Sequence, residues 1–404
     1  MTLKWKTDKL GRILKTTSGG TPLRSNKTFY VGTIPWLKSG ELNDNMQIDA
    51  SDEHINEEAI KNSSAKLFPE NSVLIALYGA TAGKLGILKI SSTSNQAVCA
   101  ILPNDNFLPK IIYYFLLFKR QFIIKQGKGG AQPNISQTVL KDLDFPIISL
   151  GEQQQIVDEI EKQFTRLDTS VKNLKSVKDK LEVYRKSVLK SAFDIDIKEE
   201  KIINYCKVIS GSTPKTSKKE YWDGDILWIT PKDLSGYNKK SIGDTSRKIT
   251  KEGYESCSTT LIPKNNVLMS SRAPIGYLVI NEKPMCTNQG FKSFKINNPN
   301  ILLGEFLYYQ LKNIVEKIKK SGSGTTFNEI SKTKAENIMI KVPSIKIQQK
   351  IVEEIESHFS VIDKLEQTVD SALLKTEQLR KSILKSAFEG KLVKEPLDIH
   401  ACDI

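Results

Sequence analysis

Tyr184-Arg185-Lys186-Ser187-Val188-Leu189-Lys190-Ser191-Ala192-Phe193 returns, with two changes, as Leu379-Arg380-Lys381-Ser382-Ile383-Leu384-Lys385-Ser386-Ala387-Phe388. The copies lie 195 residues apart in a chain of 404. A period near half the chain length is too long for a solenoid unit, and it implies two copies of a whole module. Upstream, Ser18-Gly19-Gly20-Thr21-Pro22 answers to Ser210-Gly211-Ser212-Thr213-Pro214, Trp36 to Trp228, Asn95-Gln96 to Asn288-Gln289, and Tyr113-Tyr114 to Tyr308-Tyr309. Identity is dense over 154–193 and 349–388 and sparse between Leu42 and Pro69. Each module therefore has a constant part, suited to a shared partner or to pseudo-twofold pairing, and a divergent part, suited to recognising two different things.

The constant parts read as long helices. Val157, Phe164 and Val171 fall seven apart, as do Ile160, Leu167, Leu174, Leu181 and Val188, so both series occupy a and d positions of a heptad. No Pro or Gly interrupts Glu152 to Phe193, which predicts a helix on the order of 60 Å long. The second copy carries Val352, Ile355, Phe359, Ile362, Val369, Leu373 and Ile383 at matching places, with Glu366 and Thr376 interrupting the seam. A helix with one apolar stripe must bury it. The chain crosses a whole globular domain between the two copies, so the expected partner is the repeat itself, in antiparallel pairing; packing of each helix on its own domain is the alternative.

The divergent parts read as mixed α/β. Short β-rich runs at 34–38, 72–77, 85–90 and 97–102 precede a helix at 110–125. The order repeats at 226–230, 267–271 and 276–280, with a helix near 303–318. The expected division is 1–150 and 196–345 as globular domains, with 151–195 and 346–404 as the two helices and a C-terminal tail.

Lys and Arg outnumber Asp and Glu by 60 to 46, a net charge of +14 that favours a polyanionic partner, most often nucleic acid. Five scattered cysteines and three distant histidines show no ligand spacing, so neither a metal site nor a cofactor is expected. With no apolar h-region at the start and no spanning-length apolar run, a cytoplasmic protein with reduced thiols is expected. Gly79-Ala80-Thr81-Ala82-Gly83-Lys84-Leu85 has one spacer too few for a phosphate loop and Leu where Ser or Thr must hold Mg²⁺; a tight hairpin or a loop on a DNA backbone fits better.

In order, these motifs resemble the specificity subunit of type I restriction-modification systems. The resemblance rests on the two Ser-Gly-x-Thr-Pro openings, each followed by a Trp. It rests also on Gln132-Pro133-Asn134-Ile135-Ser136 and Phe327-Asn328-Glu329-Ile330-Ser331, and on Gln153-Gln154-Gln155-Ile156-Val157 and Gln348-Gln349-Lys350-Ile351-Val352. The repeated helix ends and the tail Glu389-Gly390-Lys391-Leu392-Val393 complete the set. The resemblance implies two target recognition domains, each reading one half of a split double-stranded DNA site. Long helices would separate them and dock two methyltransferase (modification) subunits, and restriction or translocase subunits would join the complex. The chain itself is then not a catalyst. In keeping with this, it contains no Pro-Pro for an adenine-methyltransferase loop. A coiled-coil scaffold binding ligands other than DNA, and the recognition subunit of a related fused system, are the alternatives.

Phosphate contacts hold register and base-edge contacts specify sequence. Candidates for DNA contact are Arg24, Lys27, Lys38, Ser39, Tyr78, Lys84, Gln132 and Asn134 in the first domain. In the second they are Lys215, Lys218, Lys219, Thr230, Lys232, Arg272, Thr326 and Asn328. Two different half-sites should be read by residues that differ, so the matched pair Gln96/Gln289 reads as structural and the mismatch Tyr78/Arg272 as a reader. Trp36 and Trp228 read as core. The coiled-coil positions are Ile160, Leu167, Leu174, Leu181, Ile355, Ile362, Val369 and Ile383.

Overall fold

The computed structural model describes residues 5–127, 134–322 and 328–393. The candidates Gln132 and Thr326 lie outside them. The chain divides into two units, Met1–Leu174 with Ser371–Ile404, and Lys175–Asp370. Each unit holds one globular domain and about half of each long helix, Leu150–Ala192 and Ile345–Phe388.

The first unit is built on a five-stranded sheet in the order Thr16–Ser18, Val98–Ile101, Val73–Ala76, Leu85–Leu88, Asn45–Ile48. Its last strand runs parallel to its neighbour and the other pairings are antiparallel. A three-stranded sheet orders His54–Ile55, Ile34–Leu37, Thr93–Ser94, and Thr7–Lys9 pairs with Asp144–Pro146. Strands Val73–Ala76, Leu85–Leu88 and Val98–Ile101 are buried along their whole length, as unbroken apolar runs require when both faces are covered.

The second unit repeats this topology strand for strand. Its larger sheet runs Cys206–Ser210, Phe291–Ile296, Val267–Ser271, Ile275–Asn281, Ser241–Ile242, and its smaller one Arg247–Ile249, Trp222–Ile229, Cys286–Thr287. The expected α/β class and internal repeat are both present. The edge strands Thr16–Ser18 and Cys206–Ser210 were not legible in the sequence, because each is short and runs straight into the Gly-rich motif. One helix also differs: the segment expected near 303–318 is two helices, Gly304–Asn313 and Val315–Lys320, parted at Ile314. Its counterpart Pro109–Gln126 is continuous. The break falls where Asn, Ile and Val, all weak helix formers, are consecutive.

Within each unit the long helices pair with one another and also pack on the globular domain, so the two alternatives for their apolar stripe occur together. In the first unit Ile156, Val157 and Ile160 share a core with Ile383, Leu384, Ala387 and Phe388 and with Ile111, Phe115 and Leu116 of the domain. In the second, Leu181, Leu189 and Phe193 share one with Ile351, Val352, Ile355, Phe359 and Ile362 and with Phe306 and Leu307. Lys178 bonds Asp370 at 2.7 Å and Arg185 bonds Asp363 at 2.6 Å, a falling order against a rising one, so the pairing in that unit is antiparallel. Of the eight seam positions, Ile160, Leu181, Ile355, Ile362, Val369 and Ile383 are buried, while Leu167 and Leu174 are half-buried. The polar interruptions are absorbed. Glu366 accepts from Arg185, and buried Thr376 donates its hydroxyl to the Leu373 carbonyl.

Candidate nucleic-acid interface

The repeated Ser-Gly-x-Thr-Pro motif is the hub of each domain. A Cβ on Gly19 would collide with the carbonyls of Ser94 and Asn95, and one on Gly211 with those of Thr287 and Asn288, so only Gly permits the approach. The next amide donates across the gap, Gly20 to Ser94 at 2.8 Å and Ser212 to Thr287 at 3.0 Å. The carbonyls of Gly20 and Ser212 accept the indole N–H of Trp36 and Trp228, each at 3.0 Å. Thr21 donates to Gln96, and Thr213 to Gln289. The matched tryptophans thus work as framework, with both indoles almost fully buried, while Gln96 and Gln289 stand exposed beside them.

Around this frame the cations differ. In the first unit Arg24 lies 4.5 Å from the ring centroids of both Tyr30 and Trp36. Its guanidinium bonds Glu53 at 2.5 Å, and Lys38 reaches the same carboxylate at 2.9 Å. Arg24 and then Lys38 hold the Glu53 carboxyl below its ordinary range, and the Glu53 hydrogen bond raises Lys38. Lys84 bonds Asp44 at 2.8 Å, and Arg120 bonds it too. Burial opposes ionisation of Asp44, but Lys84, Arg120 and the Leu85 amide outweigh it and lower its pKa. Three of the predicted cations, Arg24, Lys38 and Lys84, are therefore already engaged within the domain.

Residues 77–84 join antiparallel strands Val73–Ala76 and Leu85–Leu88 in a hairpin connection longer than a tight turn, with Gly79 and Gly83 at φ +89° and +81°. The Thr81 hydroxyl donates to the Ser39 carbonyl at 2.7 Å, bringing Ser39 beside the loop that carries Tyr78 and Lys84. Lys27 and Asn134 are exposed.

In the second unit the corresponding arginine is Arg247, which was not legible in the sequence because it stands on strand Arg247–Ile249 whereas Arg24 stands in a turn. It lies 3.6 Å from the ring centroid of Trp222, itself edge-on to Trp228. Thr230 occupies the place of Lys38 and bonds Asp233 at 2.7 Å through both its amide and its hydroxyl. Burial opposes ionisation of Asp233, yet bonds from Ser246 and Thr230 prevail and lower its pKa. Lys218 bonds Glu220 at 3.4 Å. Lys215, Lys219, Lys232 and Asn328 are exposed.

Arg272 follows strand Val267–Ser271 and forms an isolated bridge with Glu329. The neighbouring amide bonds align it with Tyr78. Ile135 donates to Leu77 at 2.8 Å as Ile330 donates to Ser271 at 2.9 Å. Arg272 is half-buried, and its guanidinium has no hydrogen bond or ion pair with a described residue. Among the described residues no group of His, Cys, Asp and Glu could hold a metal ion, and no helix is long and apolar enough to cross a membrane.

This fold recurs in known proteins. A chain of the structure titled for complex assembly and conformational transition of the type I R-M system superposes with TM-score 0.78 at 17% identity, covering 97% of this chain and all of that one. The HsdS subunit from Thermoanaerobacter tengcongensis superposes at 0.60 and 16%, covering 97% and 98%. The family described as the type I restriction modification DNA specificity domain matches residues 2–180 and again 195–375, so the chain belongs to that family and carries its domain twice. The chain is 42% identical over 160 residues to the type I restriction enzyme MjaIX specificity subunit of Methanocaldococcus jannaschii, covering 39% of this chain and 36% of that protein. It is 33% identical over 175 residues to the EcoR124I/EcoR124II specificity subunit of Escherichia coli, covering 42% of each. It thus spans well under half the length of either of those relatives. Over 420 residues it is 22% identical to the EcoDI specificity subunit of Escherichia coli, covering 97% and 89%.

Proposed function

We propose that this chain is the non-catalytic, sequence-specific DNA-binding subunit of a type I restriction-modification complex. On this reading the globular domains 1–150 and 196–345 each read one half of a bipartite double-stranded site. The long helices, 151–195 and 346–404 with the tail, dock two modification subunits, and restriction or translocase subunits join them. What carries the reading is that a family domain named for DNA specificity occurs twice, on two frameworks that match bond for bond while the polar side chains around them differ.

The division of labour follows from chemistry. Exposed lysines, Lys27, Lys215, Lys219 and Lys232, suit phosphates, to which a lysine offers a flexible point charge. The guanidinium of Arg272 is not committed to any described residue and suits the O6 and N7 of a guanine, where its fork fits both acceptors. Tyr78 takes the same framework position in the other domain, which suits a different half-site.

The test is to purify the chain with whatever copurifies from its own cells and to select duplexes from a random library. Two short, unlike motifs at one fixed spacing are expected. No enrichment, together with no methyltransferase in the complex, would overturn the proposal in favour of a scaffold.

A further inference from the structure

Lys292 is the one charged side chain among the described residues that is fully buried, at 4% exposure. It lies in strand Phe291–Ile296, and its ammonium donates to the Ser271 hydroxyl and to the Glu329 carboxylate, both at 3.3 Å. The fold does not require it there. By strand register Ser210 faces Lys292 as Ser18 faces Cys99, so the first domain fills the same place with Cys99 and the place of Ser271 with Leu77. A buried cation where the sibling domain uses apolar side chains implies a local task.

The task concerns Arg272. Arg272 and Glu329 are bridge partners on antiparallel backbone, and such partners hold their Cβ atoms roughly 5 Å apart. A glutamate in that place is within reach of the arginine and would occupy its fork. Instead its carboxylate is drawn to Lys292, and the Arg272 guanidinium makes no ion pair with a described residue.

We infer that Lys292 is a positioning residue for sequence reading: by holding Glu329 it keeps the Arg272 fork available to a base edge. The inference rests on the proposal that Arg272 contacts a base. It goes further in assigning a specificity role to two residues that need not touch DNA.

The test uses the full chain with its copurified partners and the same random duplex library. Lys292→Met is expected to lower the preference at the base position read by Arg272 by roughly tenfold, because Glu329 then pairs with the arginine. Adding Glu329→Gln to that variant is expected to restore the preference, which no loss of folding would do. Glu329→Gln alone is expected to leave it unchanged. Arg272→Ala in parallel identifies the position.

If Arg272→Ala alters no single base position, the reading of Arg272 fails and this inference with it. If Arg272→Ala does so but Lys292→Met leaves the preference intact, the inference alone fails. It fails equally if Lys292→Met weakens all sequences alike without rescue by Glu329→Gln, which would show a purely structural lysine. Should Lys292→Met not fold, as thermal melting would report, loss of the preference in Glu329→Gln alone overturns the inference and its retention supports it.

Discussion

Arg185 and Arg380, 195 residues apart in the sequence, make the same pair of contacts in reciprocal directions. Arg185, from the first long helix, bonds Asp363 of the second and lies 4.7 Å from the Phe359 ring. Arg380, from the second helix, bonds Asp168 of the first and lies 4.7 Å from the Phe164 ring. Each pair sits within its own unit. Below each phenylalanine a tyrosine, Tyr309 or Tyr114, stands edge-on and reaches a glutamate of the same helix, Glu356 or Glu161. Burial, and then that glutamate, raise the pKa of both tyrosines, so both stay neutral donors.

Arg185→Ala and Arg380→Ala should each lower stability by about 1–2 kcal/mol, the sum of a partly exposed ion pair and a cation–π contact. Lysine at either place should recover only part of this, because an ammonium cannot stack as a planar guanidinium does. Thermal melting of the four variants checks it. Arg185 and Arg380 variants of equal effect would show that the two seams are energetically alike.

Gln153 and Gln348 are fully buried at the start of the long helices and make matching sets of three bonds. Gln153 accepts from the Leu108 amide at 2.8 Å and donates to the carbonyls of Asn106 and Ile148. Gln348 accepts from Leu303 at 2.9 Å and donates to Ile301 and Pro343. Gln153→Leu takes the partner from the Leu108 amide and from the Asn106 and buried Ile148 carbonyls and should cost about 2–4 kcal/mol, more than either arginine variant. Hydrogen exchange should show the Leu108 amide losing its protection.

Arg272→Ala should relax one base position by roughly 1–3 kcal/mol, whereas Lys232→Ala should weaken all sequences alike and reduce the salt slope by about 1. Binding titrations against single-base variants of the selected site, at several salt concentrations, separate the two. A uniform loss in Arg272→Ala would make it a phosphate contact.

Trp36→Phe should weaken the first domain without changing its base preference, because the indole is buried and its N–H is spent on the Gly20 carbonyl. An altered preference, read by repeating the library selection, would make it a reader after all.

Asp44 is ionised below its ordinary range by Lys84, Arg120 and the Leu85 amide acting against burial. A carboxyl with a depressed folded-state pKa contributes stability that is fully present above its unfolded value, 3.8, and is lost as pH falls through the lower folded value. Asp44→Asn should therefore destabilise the first unit at neutral pH and flatten its stability profile below about pH 4. Melting temperature against pH for both proteins measures this.

The sequence by itself determined the repeat, the α/β class, the long helices and the family. These are carried by features local in the chain: a ten-residue stretch said twice, a period of seven, and Gly, Trp and Gln at fixed spacing. It also placed Trp36 and Trp228 in the core, since a side chain kept in both modules serves what the modules share. Only the tertiary structure decided which cations are spoken for. Arg24, Lys38 and Lys84 look no different in sequence from Lys27, yet each meets a carboxylate from a segment 15 to 40 residues away. Arg247 and Lys292 were invisible for the same reason, because what matters in each is a ring or a carboxylate brought alongside by strand register. Side-chain partnership depends on distance in space, and a sequence records only distance along the chain.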